Sequence, residues 1–244
     1  MQRRGYLIAQ LEDGELSKPE LEAQLDVSRS TIDRGIRELE SMAMIERTEN
    51  GFRQTLAGRL ALREYAAFTR RIAGLYSGSD LLSTLPRETD FDLAMLQGGT
   101  FVEAARNNPH KPAEELYGIV ESASAVRGFE PAIDPQQLTT YRERVSDGME
   151  LELVLSNAVV ERLLSSYARE FESLMAAGRV SIFQAEQSLP YSLTVATRDS
   201  GDVAAVTVYT ADGGRGCIIN DASEAVDWAT RRYDVERERA ISLG

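Results

Sequence analysis

Soft metal ligands are nearly absent from the 244-residue chain, which has one cysteine, Cys217, and one histidine, His110. A single cysteine excludes an internal disulfide framework, and the two residues together are too few for an ordinary zinc site. Lysine is scarce too: of 27 basic residues only Lys18 and Lys111 are lysine. No apolar run approaches the roughly 20 residues that cross a bilayer, because Arg, Glu or Asp breaks the longest candidates. The N-terminus begins basic but has only a short apolar stretch and no small-residue cleavage site. The expectation is a cytoplasmic protein with no membrane partner, no metal and no cofactor.

What the chain has in excess is acid. Asp and Glu number 39 against 27 Lys and Arg, a net charge of −12. An arginine-rich, lysine-poor, acidic composition resembles halophilic archaeal proteomes, where carboxylates keep surfaces hydrated in concentrated salt. An acidic protein from a GC-rich mesophile is the alternative. The charge is uneven: residues 1–75 hold 12 basic and 12 acidic residues, net 0, and residues 76–244 the remaining 15 and 27, net −12. The first third has been spared the acidity, as a segment that meets a negative partner would be.

That first third reads as helices. Tyr6, Leu7, Ala9 and Leu11 suggest a helix from Arg3 to Leu11, ended by Asp13-Gly14. Ser17 before Lys18-Pro19-Glu20 marks the start of a second helix, with Leu21 and Leu25 on one face. Ser28 caps a third, whose Ile32, Ile36 and Leu39 step by 4 and 3. Its other face carries Arg29, Ser30, Asp33, Arg34 and Arg37. Two short helices joined by a tight turn, the second polar at its start, form a helix-turn-helix pattern. In the major groove, arginine bonds guanine bidentately, and hydroxyls such as Ser28, Ser30 and Thr31 reach base edges or phosphates. An amphipathic helix with a solvated face is the plain alternative.

Two strand-like runs, Met44–Arg47 and Phe52–Leu56, flank Thr48-Glu49-Asn50-Gly51, and Asn-Gly is a strong hairpin signal. A hairpin here is a wing, with Arg47 and Arg53 placed for the DNA backbone. The run DVSRSTIDRGIRELE, within LSKPELEAQLDVSRSTIDRGIRELESMAMIERTENGFRQTLAGR, resembles the winged helix-turn-helix of archaeal transcription regulators. The resemblance implies a double-stranded DNA partner.

Residues 57–76 read as one long helix. Ala61, Tyr65, Phe68, Ile72 and Leu75 step by 4, 3, 4 and 3, near a coiled-coil seam. Such a helix pairs with its twin in a homodimer, or packs on its own domain. Beyond residue 80 helices and strands alternate: strand-like runs begin at Thr100, Ala125, Glu150, Arg179, Ser192, Val203 and Gly216. Helical periods lie at 112–124, 135–147, 157–177 and from Ser223 to Ala240. The fold class expected is mixed, α+β and α/β: a winged helix-turn-helix over 1–56, a linker helix over 57–78 and a mixed-sheet α/β domain over 79–244. Its early strands should be parallel or mixed, with an antiparallel meander near 180–219. The segments ASAVRGFEPAIDPQQLTTY, GMELELVLSNAVVERLLSSY and GCIINDASEAVDWATRRYDVERERA are similar to the sensor domain of regulators named after a methanogen filament-forming regulator. That domain is distantly similar to the phospholipase-D-like domain of TrmB-type sugar regulators. The resemblance implies effector sensing and homodimerisation without naming an effector.

Catalysis finds little support. Phospholipase-D chemistry needs a histidine and a lysine two residues on, whereas Lys111 follows His110 directly and no second histidine exists. No Gly-x-Ser-x-Gly elbow is present, and the Asp212–Gly216 run reads as a hairpin turn rather than a phosphate cradle. Asn108, His110 and Lys111, in a proline-bounded loop after the first sensor strand, are candidates to bind an anionic or hydroxylated effector, with Arg127 adding a guanidinium. A surface loop whose prolines fix the helix start is the alternative. Cys217 in its apolar strand reads as core, or as a redox-sensing thiol. The reading is a homodimeric DNA-binding transcription regulator modulated by a small molecule. A phosphodiesterase- or nuclease-like enzyme on the second domain, and a winged helix used only for protein contact, are the competing classes.

Overall fold

Ser17, Ser28 and Thr55 each precede a helix in the computed structural model, which describes residues 5–12, 14–210 and 213–243. Arg3 and Arg4 of the expected first helix, Asp13 of its turn and Asp212 of the glycine-rich turn lie outside the described residues. The chain divides into two compact units, Met1–Ile72 and Ala73–Gly244. Among the described residues no helix is long and apolar enough to cross a membrane.

In the first unit, α1 (Gly5–Gln10), α2 (Lys18–Gln24) and α3 (Arg29–Ser41) enclose a core with the strands β1 (Ile45–Arg47) and β2 (Phe52–Gln54). Glu20 accepts both the backbone N–H and the hydroxyl of Ser17, at 2.7 and 2.6 Å, which ties down the start of α2. The stripe read from spacing is the buried one: Ile32, Ile36 and Leu39 pack with Leu7, Ile8 and Leu21, each contributing about 1.5–3 kcal/mol by burial. α3 ends in a Schellman motif, with Met44 N–H on the Leu39 carbonyl at 2.9 Å and Ala43 N–H on Glu40 at 3.0 Å. Ala43 takes the left-handed position (φ 55°) where glycine is usual.

The hairpin forms where Asn50-Gly51 stands, but not as a two-residue turn. Arg47 pairs with Phe52, so four residues make the loop, and Asn50 stays out of positive φ. Gly51 is needed for space: a Cβ there would stand 2.3 Å from the Leu16 carbonyl oxygen. Leu16 and Phe52 exchange backbone hydrogen bonds at 3.0 and 2.9 Å. The wing therefore has a third extended segment, contributed by the residue before the α2 cap.

α4 (Leu56–Ser77) follows. Of its expected seam, Phe68 and Ile72 are 58% and 47% exposed, alongside Leu60 and Tyr76. Tyr65 instead lies against Gly5 of α1, and Leu75 packs on the core of the second unit. The apolar period of α4 thus serves two surfaces rather than one.

The second unit opens with α5 (Ser79–Leu82) and a short 3-10 turn at Leu93–Met95. In chain order there follow β3 (Thr100–Glu103), α6 (Lys111–Glu121), β4 (Ala123–Glu130), α7 (Pro135–Ser146) and β5 (Glu150–Leu155). Next come α8 (Asn157–Ser166), α9 (Ala168–Met175), β6 (Val180–Gln184), β7 (Ser192–Arg198) and β8 (Val203–Thr210). β9 (Gly213–Asn220), α10 (Ser223–Arg239) and β10 (Ile241–Ser242) complete it. The strands form one sheet in the order β10-β6-β5-β4-β7-β8-β9-β3, with β4, β5 and β6 parallel and the other pairings antiparallel. The sheet is mixed, as the alternation predicts, but the antiparallel meander begins at Ser192 rather than near 180, because Val180–Gln184 pairs parallel with β5. Side chains alternate between faces: Val126, Leu151, Leu153 and Ile182 meet α6–α9, while Phe129, Val154, Phe183 and Leu193 meet α10 and the 3-10 segment. The helix expected over 157–177 is two, broken at Tyr167, whose N–H caps α8 on Leu163 at 3.1 Å. The apolar period runs through the break because Leu163, Phe171 and Leu174 share one core.

Candidate functional site

The exposed start of α3 gathers the hydroxyls and arginines singled out from sequence. Ser28 caps the helix, its Oγ accepting Thr31 N–H at 3.4 Å and lying 3.0 and 2.9 Å from the hydroxyls of Ser30 and Thr31. Arg29, Arg34 and Arg37 project from the face opposite the buried stripe. Arg34 makes no ion pair among the described residues. Among the described residues Arg37 donates only to the backbone carbonyl of Asp33, at 3.2 Å. Arg29 lies 3.4 Å from Glu22. Lys18, read from sequence only as part of a cap, joins this surface by pairing with Asp33 at 2.5 Å. Its hydrogen bond is the main reason the Asp33 carboxyl sits below the usual range.

The wing arginines are held as well. Arg53 donates to Glu46, directly opposite across the hairpin, at 2.6 Å, with Glu15 at 3.8 Å. Arg47 lies 3.7 Å from Glu40, with its guanidinium 5.2 Å from the Phe52 ring centroid. Three of the five arginines assigned to the surface therefore carry a carboxylate partner within the unit.

A second site lies in the sheet unit. A cleft of about 640 Å³ opens beyond the carboxyl end of β4, between the 104–110 loop, α6, the turn into α7, and β8 and β9, where open α/β sheets bind ligands. Its walls are apolar at Pro112, Leu116 and Ile133 and cationic at Arg106, Arg162 and Arg215, with the His110 imidazole beside them. Beneath it lies a polar cluster. Glu130, fully buried at the end of β4, accepts from Ser192, from Gln137 Nε2 at 3.0 Å and from Tyr141 at 3.3 Å. Burial pushes its carboxyl up to about 8, outweighing the hydrogen bonds from Ser192, Tyr141 and Gln137 that act to lower it. Asp134 caps α7, accepting Gln137 N–H at 2.8 Å and the Tyr117 hydroxyl at 2.6 Å.

The sequence-derived effector residues do not all converge here. His110, exposed at the start of α6, lines the cleft. Asn108 and Lys111 stand beside it without lining it; the Asn108 amide donates to Glu114 at 3.1 Å. Arg127 must be corrected: it lines a different cavity, of about 730 Å³, with Glu150, Glu152 and Arg179. The cause is strand parity, since 127 and 130 differ by an odd number and face opposite sides of β4. Arg162, Gln137 and Glu130 escaped the sequence reading, although Gln137 and Tyr141 share a face of α7 at i, i+4. Cys217 is buried and its thiol is raised to about 12, by burial first and by Glu115 second, so the thiolate that oxidation requires is suppressed.

Residues 109–239 match the family of the middle domain of the methanogenesis regulatory protein FilR1, and residues 1–74 match the HVO_A0261 N-terminal domain. No curated protein matches the chain. Among solved structures, TrmBL2, described as an archaeal chromatin protein with a novel mode of DNA binding, is similar over 99% of this chain and 92% of its own, at 12% identity and a TM-score of 0.46. Nuc from Salmonella typhimurium, a phospholipase D family member, is similar over 59% of this chain and 98% of its own, at 8% identity and a TM-score of 0.46.

Proposed function

Because the chain belongs to the family of the FilR1 middle domain, we propose that it is a cytoplasmic archaeal transcription regulator that binds DNA as a homodimer and responds to a small molecule. The observation that carries this reading is the solvent-facing α3, with Arg34 and Arg37 uncommitted to any carboxylate among the described residues and a wing bearing Arg47 and Arg53 beside it. In this proposal residues 1–56 bind DNA, 57–78 link and dimerise, and 79–244 sense. Arg29, Ser30, Arg34 and Arg37 read bases and adjacent phosphates; Ser28 and Thr31 hold the helix start; Arg47 and Arg53 grip the backbone. The exposed Leu60, Phe68, Ile72 and Tyr76 of α4 support pairing of that helix with its twin, which sets two half-sites about one DNA turn apart.

Effector occupancy of the second unit alters DNA affinity through α4, and by linkage DNA alters effector affinity by the same factor. A phosphodiesterase is the weaker reading: His110 is exposed at a helix start with Lys111 directly next to it, where phospholipase-D chemistry needs the lysine two residues on. The test is a mobility shift with the region upstream of the protein's own gene. Arg34→Ala and Arg37→Ala should each cost about 1–3 kcal/mol at one base position. Full binding by both variants would overturn the assignment.

A further inference from the structure

The cleft next to Glu130 departs from the surface around it. Residues 76–244 carry a net charge of −12, 15 basic against 27 acidic, yet among the described residues the cleft wall offers Arg106, Arg162 and Arg215 and one carboxylate, Asp134. Asp134 is already spent on Tyr117 and on the α7 cap. Of the cations, Arg215 lies 3.1 Å from Glu103. Among the described residues Arg162 donates only to the Ile133 carbonyl, at 3.3 Å, and lies 5.6 Å from the Tyr167 ring centroid, which holds its guanidinium at the cleft without a carboxylate to neutralise it. Arg106 has no partner among the described residues. Cations left unneutralised in so acidic a unit create a local preference for an anion.

The opposite wall asks for something else. Pro112, Leu116 and Ile133 are buried side chains that line the cleft. They favour an apolar body, and the volume suits a small organic molecule rather than a bare ion. Gln137, 3% exposed, spends its amide nitrogen on Glu130 and Tyr141, at 3.0 and 3.1 Å. Its amide oxygen accepts nothing among the described residues. Gln137 lines the cleft, so this oxygen is free to accept from a ligand donor.

We propose that the cleft binds a small organic anion with an apolar body and one hydrogen-bond donor, its charge held by Arg106 and Arg162 and its donor by the Gln137 oxygen. This deepens the sensing role proposed for the second unit and rests on that reading. The probe is 8-anilinonaphthalene-1-sulfonate, which has an aromatic body, one negative charge and one N–H, titrated into the full chain without DNA. Fluorescence should rise to saturation with one site per chain. Arg106→Gln with Arg162→Gln should weaken binding by about tenfold or more, and Arg127→Gln, in the other cavity, should leave it unchanged. 4-Hydroxyphenylacetate should displace the probe and its uncharged amide should not. Non-saturable binding, equal displacement by acid and amide, or a loss that follows Arg127 would overturn the proposal. If the probe seats as stated while 4-hydroxyphenylacetate leaves operator affinity unmoved, the site stands and its regulatory use falls.

Discussion

Converting Glu22, Glu40 and Glu46 together to Gln should make DNA binding far more sensitive to salt. Five arginines are proposed to meet DNA, and three of them, Arg29, Arg47 and Arg53, lie 3.4, 3.7 and 2.6 Å from those carboxylates. When such an arginine moves onto a phosphate, the phosphate releases a cation, but the abandoned carboxylate takes one up, and the two nearly cancel. Only Arg34 and Arg37 then count, giving a slope of log K against log salt of about −1.8 per protomer, at about −0.9 per phosphate neutralised. Without the three carboxylates Arg29 and Arg47 are released while Arg53 still has Glu15 at 3.8 Å, so four count, for a slope of about −3.6. Between about 50 and 200 mM salt the difference amounts to roughly a 12-fold greater loss of affinity in the triple variant. Fluorescence anisotropy with a labelled duplex, titrated at several KCl concentrations, measures both slopes. Superimposable slopes would refute the reasoning, and a slope steeper than about −4 in the unaltered protein would do so without any mutation.

Three further outcomes are expected. Because burial holds Glu130 near pKa 8 against an ordinary 4.5, the folded state keeps a proton that the unfolded chain releases. That stabilisation is complete below pH 4.5 and is lost as pH rises through about 8, at up to about 1.4 kcal/mol per pH unit. Glu130→Gln should flatten this decline in urea unfolding between pH 5 and 8, and an unchanged profile would count against it. Ala43→Gly should raise stability by about 1 kcal/mol, since glycine relieves the left-handed position that closes α3; a lower urea midpoint would contradict this. Phe68→Glu with Ile72→Glu should convert a dimer to a monomer in light scattering while leaving the helical circular dichroism intact. A persistent dimer would remove α4 from the interface.

The parts legible in the sequence are those governed by neighbours along the chain. The α3 stripe needs only the 3.6-residue period, and its start needs only a serine before it. The parallel β4 and β5 and the meander β7–β9 follow from where helices separate strands, whereas the antiparallel edges β3 and β10, set off by α6 and α10, do not. What escaped depends on contacts between distant residues. Leu16 joins the wing by a single bridge to Phe52, too short a segment to leave a period of its own. The break at Tyr167 is hidden because both half-helices bury the same stripe. Arg127 and Glu130 could have been separated by strand parity alone, but the cluster around Glu130 also needs α7 folded back over β4, which no local pattern announces. The pairing of Arg53 with Glu46 becomes visible only once the hairpin register is known.

The two outermost strands of the large sheet are among its shortest, four residues in β3 and two in β10. Few unpaired peptide groups are therefore offered at either border, and another chain has little on which to extend the ladder. Copies of this protein should remain dispersed when crowded and resist growing into fibres by strand addition. Self-association is left to side-chain surfaces, where it can saturate at a fixed number of subunits.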